Sequence, residues 1–167
     1  MKRIKLFIVV LLTLVGCQPN QNFFNTISNE QSQNYRSYYN LTLSAVAYQS
    51  MSQYFDISTK MTEIAGKYRY DIFIENPKVE MKNLLVMVVE DNTIYEIQTE
   101  MMPCIGIFDD VVNLVPHQSN PEPGYYKGIN LNRVIESSAV NLKIFVQFES
   151  GENNQIIKEF FNFNLKA

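Results

Sequence analysis

The chain has no tryptophan, only two cysteines and a single histidine in 167 residues. Each shortage removes a class of chemistry. The two cysteines, Cys17 and Cys104, cannot supply the disulfide framework that staples small secreted domains. The lone histidine, His117, leaves no His/Cys ligand set for a structural zinc site. No Asp-x-Asp-x-Asn-Gly run spaces oxygens for a calcium loop. No phosphate-cradling glycine loop and no dinucleotide fingerprint occurs, so no cofactor is indicated. Basic residues form no run beyond the first five positions. Nucleic-acid binding, which depends on positive charge to displace counterions, is therefore disfavoured. No apolar run reaches the roughly 20 residues that a helix needs to cross a bilayer.

What is present begins at the first residue, with MKRIKLFIVVLLTLVGCQPN. Lys2, Arg3 and Lys5 give a basic start, and Leu6 to Val15 is apolar with only Thr13 interrupting. A basic segment, a short apolar segment and a small residue before a sharp polar stop are the marks of a secretory signal. The closing residues, Leu14-Val15-Gly16-Cys17, resemble the lipobox of bacterial lipoproteins. That resemblance implies cleavage between Gly16 and Cys17, a diacylglycerol on the Cys17 sulfur, and acylation of the new amino group. Two or three acyl chains make a stable anchor where one would be marginal. Residues 1–16 are thus expected to be a signal peptide, and the chain to sit in the cell membrane by its lipid, facing out of the cytoplasm. Loss of Lys2, Arg3 and Lys5 leaves 11 basic against 17 acidic residues, a net charge of −6. Docking onto anionic lipid through basic side chains is disfavoured, and the lipid on Cys17 becomes the expected membrane contact.

The remainder divides by composition. Residues 17–40 hold the lipidated cysteine and a stretch rich in Asn and Gln without clear periodicity, expected to be a flexible tether. Phe23, Phe24, Tyr35, Tyr38 and Tyr39 within it are aromatic exceptions available for docking. Residues 41–167 are expected to form one domain, large enough to bury a core without staples. Leu41 to Phe55 is ambiguous. Leu43, Val46, Ala47, Met51, Tyr54 and Phe55 fall near helical spacing, whereas Leu41, Leu43, Ala45 and Ala47 alternate as a strand does. The Ala, Ser, Gln and Met content favours a short helix, with a further turn at Met61–Ile64 closed by Gly66.

After Gly66 the period becomes 2. Tyr68, Tyr70, Ile72 and Ile74 alternate with charged residues up to Glu75, and Asn76-Pro77 ends the strand. Leu84 to Val89 is continuously apolar, as a strand covered on both faces would be. Ile94–Thr99 is expected to run back after a turn at Asp91-Asn92. Ile105–Phe108, Val111–Val115 and Tyr125–Leu131 are further strand candidates, the last with a bulge at Gly128. Val140, Leu142, Ile144, Val146 and Phe148, then Ile157, Phe161, Phe163 and Leu165, mark a long antiparallel hairpin turning at residues 150–154. About seven strands with turns at this spacing predict a mainly β, antiparallel sandwich. In arrangement it resembles the small immunoglobulin-like domains of bacterial surface proteins, without the Trp and the Cys pair of antibody domains. The resemblance implies architecture and no activity.

Chemistry is thinly represented. A hydrolase would have to use His117, with Ser119 nearby and Asp109, Asp110 or Glu122 as orienting carboxylates, but no Gly-x-Ser-x-Gly elbow surrounds any serine. The adjacent pairs Glu90-Asp91 and Asp109-Asp110 send neighbouring side chains to opposite faces if they lie in strands, so they do not converge on one substrate. Cys104 lacks the basic neighbours that make a thiol reactive and reads as a small buried residue. Neither a catalytic set nor a metal site is predicted. Asn120-Pro121-Glu122-Pro123-Gly124-Tyr125-Tyr126 is the best binding candidate. Prolines stiffen it, and Tyr125 and Tyr126 offer amphipathic area at low entropy cost. The expected role is a non-enzymatic binding or interaction module at the cell envelope, with an envelope protein or surface ligand as partner. An envelope hydrolase using His117 and a small solute-binding accessory lipoprotein are the alternatives.

Overall fold

The computed structural model describes residues 27–167 apart from Asn92, Gln98, Thr99, Ser119, Pro121 and Asn153. The lipobox, Cys17 and its cleavage site lie outside the described residues, as do Phe23 and Phe24. Among these residues the fold is mainly β, with two sheets and one α-helix. The smaller sheet holds β1 (Asp56–Ile64), β2 (Lys67–Glu75) and β7 (Gly128–Ile135), in the order β1-β2-β7. The larger holds β3 (Met81–Glu90), β4 (Cys104–Ile105), β5 (Asn113–Leu114), β6 (Tyr125–Tyr126), β8 (Ala139–Ser150) and β9 (Ile156–Lys166). Its order is β6-β5-β3-β8-β9, with β4 also paired to β3. All pairings are antiparallel except β5 with β6.

Two apolar layers explain the arrangement. Between the sheets, Tyr70, Ile72 and Ile74 of β2 and Leu131 of β7 meet Val86 and Val88 of β3, Leu142, Ile144, Val146 and Phe148 of β8, and Phe161 of β9. The alternation in β2 and in the β8–β9 hairpin forces this side of each strand inward. The other face of the larger sheet is apolar too. Leu85, Met87 and Val89 of β3 and Phe145 of β8 pack under Tyr35 and Tyr39 of α1 (Asn29–Leu43), with Met102 and Ile107. The continuous apolar run of β3 therefore has both sides covered, as its sequence predicts.

Several expectations change. Residues 29–40, read as part of a tether, instead begin helix α1, which packs on β3 and β8. Its start is a capping box: the Ser28 hydroxyl accepts from Gln31 N–H at 3.1 Å, and the Gln31 side chain accepts from Ser28 N–H at 3.1 Å. Its buried stripe is made of Tyr35, Tyr39 and Thr42 rather than aliphatic residues. Leu41–Phe55 is neither a helix nor a strand as a whole. Only Leu41–Leu43 belong to α1, and the rest is irregular up to β1, bridged to β9 at Gln49. Met61–Ile64 is not a turn but the end of β1. The true turn is Ala65-Gly66, with φ of 51° and 80°, a two-residue loop with both φ values positive that suits the twist of a hairpin. Tyr95–Ile97 forms a short 3-10 turn where a returning strand was expected, and Gln98 and Thr99 lie outside the described residues. Gly128 is not a bulge. It is where the chain leaves the larger sheet after β6 and enters the smaller one as β7. Nine strands, rather than about seven, are present among the described residues.

Candidate functional site

The β3–β4 pairing places Ile105 opposite Val86 and Cys104 opposite Met87. The chain then turns at Gly106, φ +78°, where an added Cβ would lie 2.3 Å from the Leu84 carbonyl oxygen. Only glycine fits this turn. Beyond it Ile107 is buried under the helix and the Phe108 ring lies 5.7 Å from Tyr35, whereas Asp109, Asp110 and Val111 are exposed. Leu84 N–H recovers the chain by donating to Val112 O at 2.8 Å. Asn113 then anchors β5, its side-chain oxygen accepting from Asn83 N–H at 2.9 Å where β3 is irregular. β6 pairs with β5, Asn113 opposite Tyr125 and Leu114 opposite Tyr126.

These segments border an open cleft of about 870 Å³ on the side of the sandwich where β7 faces β4, β5 and β6. Ile105, Val112, Tyr126 and Ile129 supply apolar surface, and Asp109 and Asp110 supply charge. Tyr126 is 44% exposed. Of the two tyrosines singled out in the sequence, Tyr126 lines the cleft and half-buried Tyr125 does not, as adjacent strand residues face opposite ways. Cys104 also borders the cleft, but burial pushes its thiol up to about 12, with the Asp109 charge adding to the effect. It is protonated at neutral pH and a poor nucleophile. His117 is exposed with φ +56° in a 3-10 turn, and neither it nor Glu122 lines the cleft. The carboxylates and the histidine of the hydrolase alternative are therefore not brought together there, and Ser119 lies outside the described residues. No group of three or more His, Cys, Asp or Glu side chains converges among the described residues.

A second polar cluster escaped the sequence reading. Arg133 of β7 donates from Nη1 to Glu90 Oε1 on β3 at 3.4 Å and from Nη2 to Glu100 Oε2 at 3.0 Å. Tyr70 of β2 donates to the same Glu90 oxygen at 3.2 Å. Arg133 and Glu90 side chains are only 21% and 17% exposed, so the pair ties the two sheets together in a weakly screened setting. The helix joins the same region. Tyr39 Oη donates to Thr93 O at 2.7 Å, and Met102 N–H donates to Tyr35 Oη at 2.8 Å. Burial pushes the Tyr39 phenol up to about 12, with nearby Tyr35 and Glu90 adding to the effect, and burial raises the Tyr70 phenol as well. Both stay neutral donors. This cluster is an internal tie with long sequence separations, and no local motif could have announced it. No protein-family model and no curated protein sequence matches the chain.

Proposed function

We propose that this chain is a lipid-anchored lipoprotein of a bacterial envelope whose β domain binds a partner outside the cytoplasm and catalyses no reaction. The anchor rests on Leu14-Val15-Gly16-Cys17 and the basic and apolar segments before it. The binding role is carried by one observation, the open cleft that mixes apolar Ile105, Val112, Tyr126 and Ile129 with the carboxylates of Asp109 and Asp110. Concave, mostly apolar surface with a few polar groups is the usual form of a binding site. The domain is read as an immunoglobulin-like sandwich. Two facing sheets, antiparallel except at β5–β6, with the chain crossing between them at β2–β3, β6–β7 and β7–β8, support that reading.

Two experiments test it. Metabolic labelling with a palmitate analogue should mark the wild type and not Cys17→Ser, and labelling that survives the substitution removes the anchor. Crosslinked capture from intact cells should be weakened by Tyr126→Ala and unaffected by His117→Ala. An interface tyrosine of this kind contributes on the order of 2 kcal/mol, about thirtyfold in affinity. Loss of the cellular phenotype with His117→Ala alone, in a folded protein, contradicts the non-enzymatic reading.

A further inference from the structure

The cleft has the form of a vacant strand position. The larger sheet contains β4, β5 and β6 beyond β3, and the smaller sheet ends at β7, which pairs with β2 and with no other described strand. The inner surface of the larger sheet therefore extends past the edge of the smaller one, and Ile105, Val112 and Tyr126 lie in that overhang with Ile129 beside them. An edge strand presents unpaired N–H and C=O groups that can hydrogen-bond to another chain in extended form. Two other edges offer less: β6 has only two residues, and β9 is already bridged by Gln49.

We propose that the cleft receives an extended peptide segment of a partner protein, which adds as a strand beside Gly128–Leu131 of β7. This rests on the binding-module reading and names its partner class. Alternate side chains of such a peptide face the same way, so one set covers Ile105, Val112 and Tyr126. Asp109 and Asp110 are exposed at the rim with no ion pair among the described residues, so the peptide is cationic at that end. Four residues of β7 span about 13 Å, and one short segment suffices to cover them.

The test uses the full chain in neutral detergent micelles, with empty micelles as the blank, and three ten-residue probes. The first alternates valine and lysine, the second is the same peptide N-methylated at every residue, and the third alternates valine and glutamate. The Val-Lys peptide should bind and slow hydrogen exchange at residues 128–131. N-methylation, which removes the N–H donors from both edges of a strand, should weaken binding at least tenfold, and so should the Val-Glu exchange. Asp109→Asn with Asp110→Asn should weaken the Val-Lys peptide at least fivefold with the urea midpoint unchanged. Equal binding of the plain and N-methylated peptides overturns strand addition. If Tyr126→Ala then still weakens both, the binding cleft itself stands. No binding of the Val-Lys peptide at millimolar concentration also overturns the proposal, and partner capture from cells judges the broader reading separately. A concentration-dependent dimer that the peptide dissociates transfers the site to a second copy and overturns the assignment to a partner.

Discussion

The two long sides of the sandwich are finished differently. Where β1 approaches β9, the gap between the sheets is sealed by the segment from Gln49 to Phe55. Gln49 N–H donates to Phe160 O at 2.8 Å. The Phe55 ring stands edge-on to Phe161 at 5.9 Å and to Phe148 at 6.2 Å, and Tyr54 is edge-on to Phe148 at 5.5 Å. Where β7 approaches β4, β5 and β6, no comparable segment among the described residues closes the gap, and a cleft with acidic residues at its rim is left. Among the described residues the sandwich is thus sealed on one side and open on the other. The difference separates aromatic residues buried in the fold, such as Phe55 and Phe161, from Tyr126, which is left half exposed at the cleft.

Substitutions on the two sides should break along that line. Phe161→Ala removes a fully buried ring from the sealed side and should cost about 3–5 kcal/mol, read as a lowered urea midpoint. A change under about 1 kcal/mol would show that the ring is not a core element. Next comes the tie between the sheets. Arg133→Ala leaves Glu90 partly buried without its cation and should cost about 2 kcal/mol by the same measurement.

The sealed side also contains a polar exception with a pH signature. Glu159 lies on the inward row of β9 between Ile157 and Phe161, is 4% exposed, and has Oε2 without a hydrogen-bond partner. Burial raises its carboxyl, and a hydrogen bond with Ser52 acts weakly the other way. A raised folded-state value means that the folded chain holds the proton more tightly than the unfolded one. Its contribution is most favourable below the unfolded value, about 4.3, and is lost as pH rises through the folded value. Wild type should therefore lose stability relative to Glu159→Gln as pH is raised from about 4 to 7, in paired urea titrations across that range. Parallel curves would mean that Glu159 ionises in the fold without penalty. The smallest stability effect belongs to the open side. Tyr126→Ala removes a half-exposed ring and should cost less than about 1 kcal/mol while reducing partner capture.

The parts that were legible in the sequence are those where side-chain period and burial coincide. Ile72 and Ile74, the run from Leu84 to Val89, and the β8–β9 hairpin all lie where alternation or apolar continuity puts them. The errors have physical causes. Helix α1 buries tyrosines spaced four apart, Tyr35 and Tyr39, in an otherwise polar stretch, so an aliphatic stripe was the wrong signal and the Ser28–Gln31 box the right one. β1 is an edge strand whose inward row includes Thr59, and its alternation is too polar to stand out. The cleft depends on residues 104–129 folding back on themselves through strands of two residues, below the length at which periodicity carries information. Tyr126 was found by its composition, and its separation from Tyr125 required the strand.

The central claim is that the unsealed side meets the partner and the sealed side does not. Photocrosslinking in intact cells tests it, with benzoylphenylalanine placed singly at Tyr126 on the open side or at Met51, which is 75% exposed on the sealing segment. The expected result is a crosslinked partner from position 126 at high yield and none from position 51, with the 126 adduct mapping to one short segment of the partner. A partner captured from position 51 and not from 126, in variants with matching urea midpoints, would contradict the account.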